Sequence, residues 1–441
     1  MFSLCASNAC RAVRLAGLYP SRFDLEQILG QLDTFPSADL SHAVVHEKVS
    51  SLLLQRLREH KPALVARLSA YRAFTEARAR IETIVHHKAA VLDLIGREAQ
   101  ALGIEVWAVK GLAAQRAYQD PDLRDLGDLD LMVDGVDAAI RLTDRLIASG
   151  YNFHSQEWPW IKRCVESGVI YGQFSLKHVA PERHPAIDLH FGGYSVRHCG
   201  LHPLTATRPR PGLSYYGTQA NLPLIVGNAA GDHDITTKDL NDLAIAIEDP
   251  AVDWAAVLDQ LDQVRLLGFF RRMIDELEAT PARSVYRDSA LRMLLPAGRR
   301  EVPAPHPSWP RQRRWAVTVQ HAFAVGARHS YIRAGITSLT AAHYYWGDRT
   351  IKMRPRPSWS RSRLPRLNSW TCVRLIPATL LRQPDGQPED QPRFLPTEGD
   401  QHRLSAELTA IRSPAGDIIR TALGDFVPAV YGVGTVGRGR G

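Results

Sequence analysis

Two aspartates one residue apart, Asp128 and Asp130, stand at the head of a stretch whose other residues, Leu129, Leu131, Met132 and Val133, are all apolar. Side chains two apart on a strand share a face. A strand here sets both carboxylates side by side and turns Leu129 and Leu131 into a core. Like charges that close repel, and the cost is easiest to bear where a divalent cation sits between them. That one feature asks for a sheet with a buried face and an opposite face that carries paired charge.

The flanking sequence supplies such a sheet. Residues 104–109 (IEVWAV) are short, β-branched and aromatic, and read as a strand. Gly111 opens a turn, 112–118 reads as a short helix, and Asp120-Pro121 breaks it. A strand over 129–133 is followed by a helix over 137–148 that ends at Gly150. Further strands are expected over 173–179 and 187–191. The alternation predicts an α+β core over residues 101–197, a mixed sheet flanked by helices.

The other segments differ in kind. Apolar residues return every three or four positions from Phe74 to Leu102, the mark of an amphipathic helix, and Gly103 is its expected stop. Residues 1–100 read as helical. Residues 198–221, rich in Pro, Gly, Thr and Tyr, read as a connector. Helical periodicity resumes over 222–280, with a new helix starting at Asp253-Trp254. There Asp239 and Asp242 read as an exposed acidic face. Beyond 281 the periodicity fades, and 281–441 is expected to be a poorly structured, partly disordered basic tail.

Charge follows the same division. Residues 281–441 hold 25 basic and 11 acidic side chains, a local +14, while the first 280 carry −6. Arginine dominates the tail, and Trp309, Trp315, Trp346, Trp359 and Trp370 are interleaved with it. Basic charge with aromatic platforms suits single-stranded nucleic acid, so binding of nucleic acid through the tail is one alternative function. No apolar run approaches the roughly 18 residues of a membrane span, so no membrane partner is expected. No leader is read at the N-terminus. Five scattered cysteines argue against a disulfide framework and for a reducing, cytoplasmic setting.

The chemistry centres on the carboxylates. Magnesium suits an oxygen-rich site and leaves positions open for substrate phosphates; two ions could clamp the attacking and leaving oxygens. Asp188, in AIDLHF (186–191), offers a third carboxylate on a neighbouring strand. At Lys110-Gly111 a strand gives way to a helix, where a glycine allows close approach of a phosphate to the backbone. Lys110 and Arg124 could add positive charge against a triphosphate, and Arg124 could equally pair with Asp120, Asp122 or Asp125. His190 could orient Asp188 or simply be a buried, satisfied histidine.

Taken together, Lys110-Gly111, Arg124, Gly127-Asp128-Leu129-Asp130-Leu131 and Asp188-Leu189-His190 resemble the uncharacterised nucleotidyltransferases of the DNA polymerase β superfamily. Lys238-Asp239-Leu240-Asn241-Asp242-Leu243 and Asp253-Trp254 match the helical region that follows in that family. The resemblance spans about residues 75–280. It implies a polymerase β-like core, metal binding and catalysis by Asp128, Asp130 and Asp188, and nucleotide binding at Lys110, Gly111, Arg124 and Gly127. Leu112 stands where many superfamily members have Ser or Gly. The implied activity is metal-dependent transfer of a nucleoside monophosphate from a triphosphate such as ATP, with release of pyrophosphate. The acceptor stays open among a peptide, a small molecule and RNA. A non-catalytic nucleotide- or partner-binding module is the other alternative.

Overall fold

Among the described residues, four short helices come first: α1 (Asn8–Gly17), α2 (Ser37–Glu47), α3 (Ser50–His60) and α4 (Ser69–Ala79). They bury Val13, Leu40, Leu53 and Phe74 in a core of their own. The computed structural model describes residues 8–19, 30–60, 69–153, 159–163, 170–196, 199–201, 211–232, 234–264, 266–279, 335, 339, 373–377, 419–421 and 423–430. The apolar repeat from Phe74 to Leu102 is two helices rather than one. It breaks at a turn around Arg80 and restarts as α5 (Glu82–Leu102). Gly103 ends α5 in the left-handed conformation, with φ +67° and its N–H on Ala99 O. A side chain there would be strained, which is why a glycine closes this helix.

The sheet follows. Its first strands are β1 (Glu105–Ala108) and β2 (Leu129–Val133), separated by α6 (Lys110–Ala114) and two 3-10 turns. After α7 (Val136–Ala148) come β3 (Tyr151–Phe153), β4 (Trp160–Arg163), β5 (Ile170–His178) and β6 (Ile187–Phe191). A small hairpin, β7 (Tyr194–Val196) with β8 (Cys199–Leu201), leads to β9 (Gly212–Tyr215). From one side the order runs β9, β1, β2, β6, β5, β4. The β2–β6 and β1–β9 pairs are parallel and the others antiparallel, so the sheet is mixed.

Two segments without strand periodicity in the sequence nevertheless contain strands. The segment read as a connector, 198–221, contains β8 and β9, and β9 forms an edge of the main sheet against β1. In the tail, β10 (Val373–Pro377), β11 (Ile419–Thr421) and β12 (Gly424–Val430) extend the sheet beyond β4. Leu375, Leu423 and Phe426 bury there against the α5–α7 side. Those tail residues are therefore ordered strand. The tail tryptophans lie outside the described residues.

Strand alternation decides the two faces. Leu129, Leu131, Val133, Ile187, Leu189 and Phe191 pack into one core with α5 and α7. The opposite face, with Met132 and Tyr171, packs on a second core formed by the C-terminal helices. These are α8 (Thr218–Asp232), α9 (Thr237–Glu248), α10 (Trp254–Gln263) and α11 (Leu267–Glu278). Among the described residues no helix is long and apolar enough to cross a membrane.

The N-terminal and C-terminal helices meet at Glu47, which is fully buried. Its Oε2 accepts the Thr237 N–H at 2.7 Å and hydroxyl at 2.6 Å, and Arg14 bonds both oxygens at 3.3 Å. Arg14 also reaches Glu276 on α11 at 2.9 Å, and His46 bridges Glu47 and Asp234. Cys10 completes this group, but the Glu47 oxygens are already taken, so it reads as a packed polar hub. Burial alone would raise Glu47, yet Arg14, His46 and Thr237 outweigh it and hold the carboxyl at about 2, below its ordinary 4.5. Burial would lower His46, but Asp234, Cys10 and Glu47 raise it to about 11 from 6.5. The signs are opposite. The Glu47 contribution is whole above pH 4.5 and lost as pH falls toward 2, and that of His46 is whole below 6.5 and lost as pH rises toward 11. Melting temperature against pH should therefore fall on both sides of a plateau, and Glu47→Gln should lower the plateau and flatten the acid limb. An acid limb unchanged by Glu47→Gln would place that sensitivity elsewhere.

Candidate functional site

The parallel register of β2 and β6 sets Asp130 directly opposite Asp188, and Met132 opposite His190. Strand alternation then brings Asp130, Asp188 and His190 onto the face that also carries Met132, while the other face of β2 and β6 stays wholly apolar. Asp130, Asp188 and His190 each offer a ligand atom, all within 4.8 Å of one another. Asp130 is 4% exposed and Asp188 half-buried.

Each carboxylate has a fixed support. The Lys110 ammonium lies 2.5 Å from Asp130 Oδ1, and His190 Nε2 lies 3.3 Å from the same oxygen. On β5, Ser175 pairs with Asp188 and donates its hydroxyl to Oδ1 at 2.7 Å. Lys110 itself sits at φ +50°, a region that non-glycine residues rarely occupy. Asn221 on α8 clamps it there: the Lys110 N–H donates to Asn221 Oδ1 at 2.6 Å, and Asn221 Nδ2 donates to Lys110 O at 2.9 Å. The Tyr194 ring lies 5.1 Å from the ammonium.

Asp128 lies one residue before β2, outside the 4.8 Å cluster but within reach of its field. Burial and then the Asp130 charge push its carboxyl up to about 6, against the pull of Lys110, Lys238 and Lys48. Asp188 is also pushed up to about 6, by burial and then by Asp128 and Asp130. Burial would raise Asp130 too, but Lys110 and His190 prevail and hold it below the usual carboxylate range. Lys110 is raised above its ordinary value because the Asp130 charge outweighs the cost of burial. So one of the three carboxylates is neutralised by the protein, and two are left under mutual repulsion.

The remaining sequence candidates have other neighbours. Arg124 is buried, and its guanidinium donates to Asp242 on α9 at 2.7 and 2.9 Å. Its partner is thus not Asp120, Asp122 or Asp125. Asp125 instead takes the Ser50 and Ser51 N–H groups at the start of α3, at 2.6 and 3.1 Å. Gly111 faces inward: a Cβ there would come within 2.5 Å of Leu126 and 2.6 Å of Arg124. Gly127 is exposed with open space around it.

The acidic face expected on α9 is buried instead. Asp239 caps the helix, accepting from the Thr236 N–H at 3.0 Å and hydroxyl at 2.7 Å. Asn241 bonds Tyr19 N and Gly17 O, both at 2.8 Å, and Asp242 also accepts the Tyr118 hydroxyl at 2.9 Å. Sequence reasoning missed Ser175 and Asn221. Neither carries a local signal, and both are recognised only by what the sheet and α8 bring beside them. A cavity of about 660 Å³ is lined by Tyr19, Tyr118, Tyr215 and Tyr216 but by none of the three carboxylates. The charge cluster, not the cavity, marks the chemistry.

Paired strand carboxylates braced by a lysine, a serine and a histidine suit transfer of a phosphorus group. The family described as uncharacterised nucleotidyltransferase matches residues 35–275, more than half of the chain. The chain belongs to that family. No curated protein and no solved structure matches it. Within this nucleotidyltransferase family match lie β1, β2, β6, the three aspartates and α8 to α10, while the tail strands lie beyond it.

Proposed function

We propose that this family member is a metal-dependent nucleotidyltransferase with a polymerase β-like core, moving a nucleoside monophosphate from a nucleoside triphosphate to an acceptor and releasing pyrophosphate. The observation that carries the reading is the pairing of Asp130 with Asp188 across parallel strands, inside a chain of nucleotidyltransferase family. The donor set fits a hard divalent cation such as magnesium. Asp128 and Asp188 present oxygens whose charge nothing in the chain fully compensates, and each is pushed up to about 6 for that reason as well as by burial. Asp128, Asp130 and Asp188 would hold it. Bound there, the cation would supply charge neutralisation for the transferring phosphoryl group.

The chain's own residues position the rest. Lys110 and His190 fix Asp130, and Ser175 fixes Asp188. The Asn221 clamp holds the turn after β1, so the start of α6 is set before substrate arrives. In the transfer an acceptor oxygen forms a bond to the α-phosphorus, and the bond from that phosphorus to the α,β-bridging oxygen breaks. Pyrophosphate leaves, and the acceptor's proton passes to Asp188 or to solvent. Orientation and charge stabilisation carry most of the rate in such a step.

A second reading, nucleotide binding without turnover, draws on the Lys110 ammonium that occupies Asp130 Oδ1. One assay separates the two. The full chain is incubated with magnesium, each labelled nucleoside triphosphate in turn, and peptide, small-molecule and RNA acceptors. The expected result is release of pyrophosphate and a labelled acceptor, both abolished by chelator and by Asp130→Asn. Undiminished transfer by Asp130→Asn would end the proposed mechanism, and metal-dependent binding without any turnover would favour the second reading.

A further inference from the structure

The two cations that the sequence offers to a triphosphate are both engaged, Lys110 with Asp130 and Arg124 with Asp242. Two other lysines stand next to the site. Lys48 follows α2, and Lys238 lies in the first turn of α9. They are 190 residues apart, and the Glu47 hub joins them: Glu47 immediately precedes Lys48, and it bonds Thr237, which immediately precedes Lys238. Packing supports the same approach. A Cβ on Gly17 would touch Val49 at 3.0 Å and Thr237 at 3.2 Å, so the residues flanking the two lysines converge on one point of α1.

A second tie leads to the carboxylates. Ser50, two residues after Lys48, is held by Asp125, three residues before Asp128. Lys48 turns at φ +56°, a left-handed conformation that ends α2 and redirects the chain toward that clamp. Among the described residues neither ammonium has a hydrogen-bond or ion-pair partner within contact distance. Lys48 is exposed and Lys238 half-buried. The electrostatics agree with the geometry. Burial and then the Lys48 charge lower Lys238 to about 8, and both lysines pull on Asp128. Asp239 and Asp242 act on Lys238 through space but are themselves bonded elsewhere, to Thr236 and to Arg124 and Tyr118, so two like charges held beside an acidic site, neither bonded to a carboxylate, leave a place for an anion that bears several negative charges.

We propose that Lys48 and Lys238 form a polyphosphate subsite beside Asp128, binding the two outer phosphates of the nucleoside triphosphate and then the pyrophosphate released. The identity of the ligand rests on the transfer reading above. The subsite is built from both helical regions, so the N-terminal helices contribute directly to substrate binding. Lys238 supplies the deeper, partly desolvated charge, and Lys48 the outer one.

The test is calorimetric titration of the full chain with inorganic pyrophosphate, and separately with AMP. The variants are Lys48→Asn, which tolerates the left-handed backbone, Lys238→Gln, and the double substitution, with circular dichroism and melting to check the fold. Pyrophosphate should bind at least about tenfold more weakly to each single variant and further still to the double. AMP, which lacks the outer phosphates, should change by less than about twofold. Lys238→Arg should restore most of the loss. Pyrophosphate affinity within about twofold of wild type in a folded Lys48→Asn or double variant overturns the subsite, as does a wild type that binds no pyrophosphate. The two readings fail separately. Lysine-dependent pyrophosphate binding without transfer keeps the subsite and sinks the transfer reading, while transfer with lysine-independent affinity does the reverse.

Discussion

Asp188→Asn should reduce nucleotidyl transfer by at least about 10²–10³-fold while leaving the fold as stable as wild type or more so. Asp130 cannot give so clean an answer, because its charge also compensates the half-buried Lys110 ammonium. Asp188 has no such debt. It accepts one hydrogen bond, from Ser175 at 2.7 Å, and an asparagine carbonyl oxygen can accept the same bond. Its charge is repelled by Asp128 and Asp130, so neutralising it relieves strain in the metal-free protein. A second readout follows from linkage. Whatever binds only the folded state raises its melting temperature. Magnesium should raise the melting temperature of the wild type, and that rise should shrink in Asp188→Asn. An Asp188→Asn protein that transfers within about tenfold of wild type would remove Asp188 from the machinery.

How much of this could be read from the sequence depends on how far apart the interacting residues lie. β2, β6 and the seat of Asp130 follow from two-residue alternation within a few positions, and so does the apolar face of Leu129, Leu131, Leu189 and Phe191, whereas Asp128 lies one residue before β2 and outside the Asp130–Asp188–His190 cluster. Lys110 and His190 were visible as residues, but not the ammonium and imidazole meeting on one Asp130 oxygen. That depends on a strand register across 60 positions. Ser175 had no signal, since a serine on a strand is ordinary until the register sets it opposite Asp188. The segment Gly212–Tyr215 is four residues in a Pro- and Gly-rich stretch, too short for periodicity, and becomes a strand because β1 offers it a free edge. The tail strands likewise owe their place to pairing beyond β4 rather than to a local pattern. The acidic residues of α9 misled for a related reason. Charged side chains are almost never fully buried unless paired, and the partners of Asp242 and Asn241 lie 118 and more residues earlier in the chain.

The Arg124–Asp242 pair sets the second large effect. Asp242→Ala should destabilise the protein by about 3–5 kcal/mol, because it strands the Arg124 guanidinium in the interior. Both side chains are almost fully buried, and the pair is bonded at 2.7 and 2.9 Å. Burial works against the Arg124 charge, and Asp242 outweighs it and holds the group above its ordinary range. Removing Asp242 also takes the acceptor from the buried Tyr118 hydroxyl. The double substitution Arg124→Met with Asp242→Leu should recover most of the loss, since a buried pair exchanged for apolar groups of similar size is often neutral. Urea unfolding of the four proteins in the cycle gives the coupling directly. The same cycle separates structure from chemistry at this position. If Arg124 only joins the segment before Asp128 to α9, the double variant should keep transfer in proportion to its folded fraction. If its guanidinium serves the nucleotide in the working enzyme, the double variant should be stable and nearly inactive. The geometry favours the first outcome, because the donors that would face a phosphate already face Asp242, and Lys48 and Lys238 remain to take the charge.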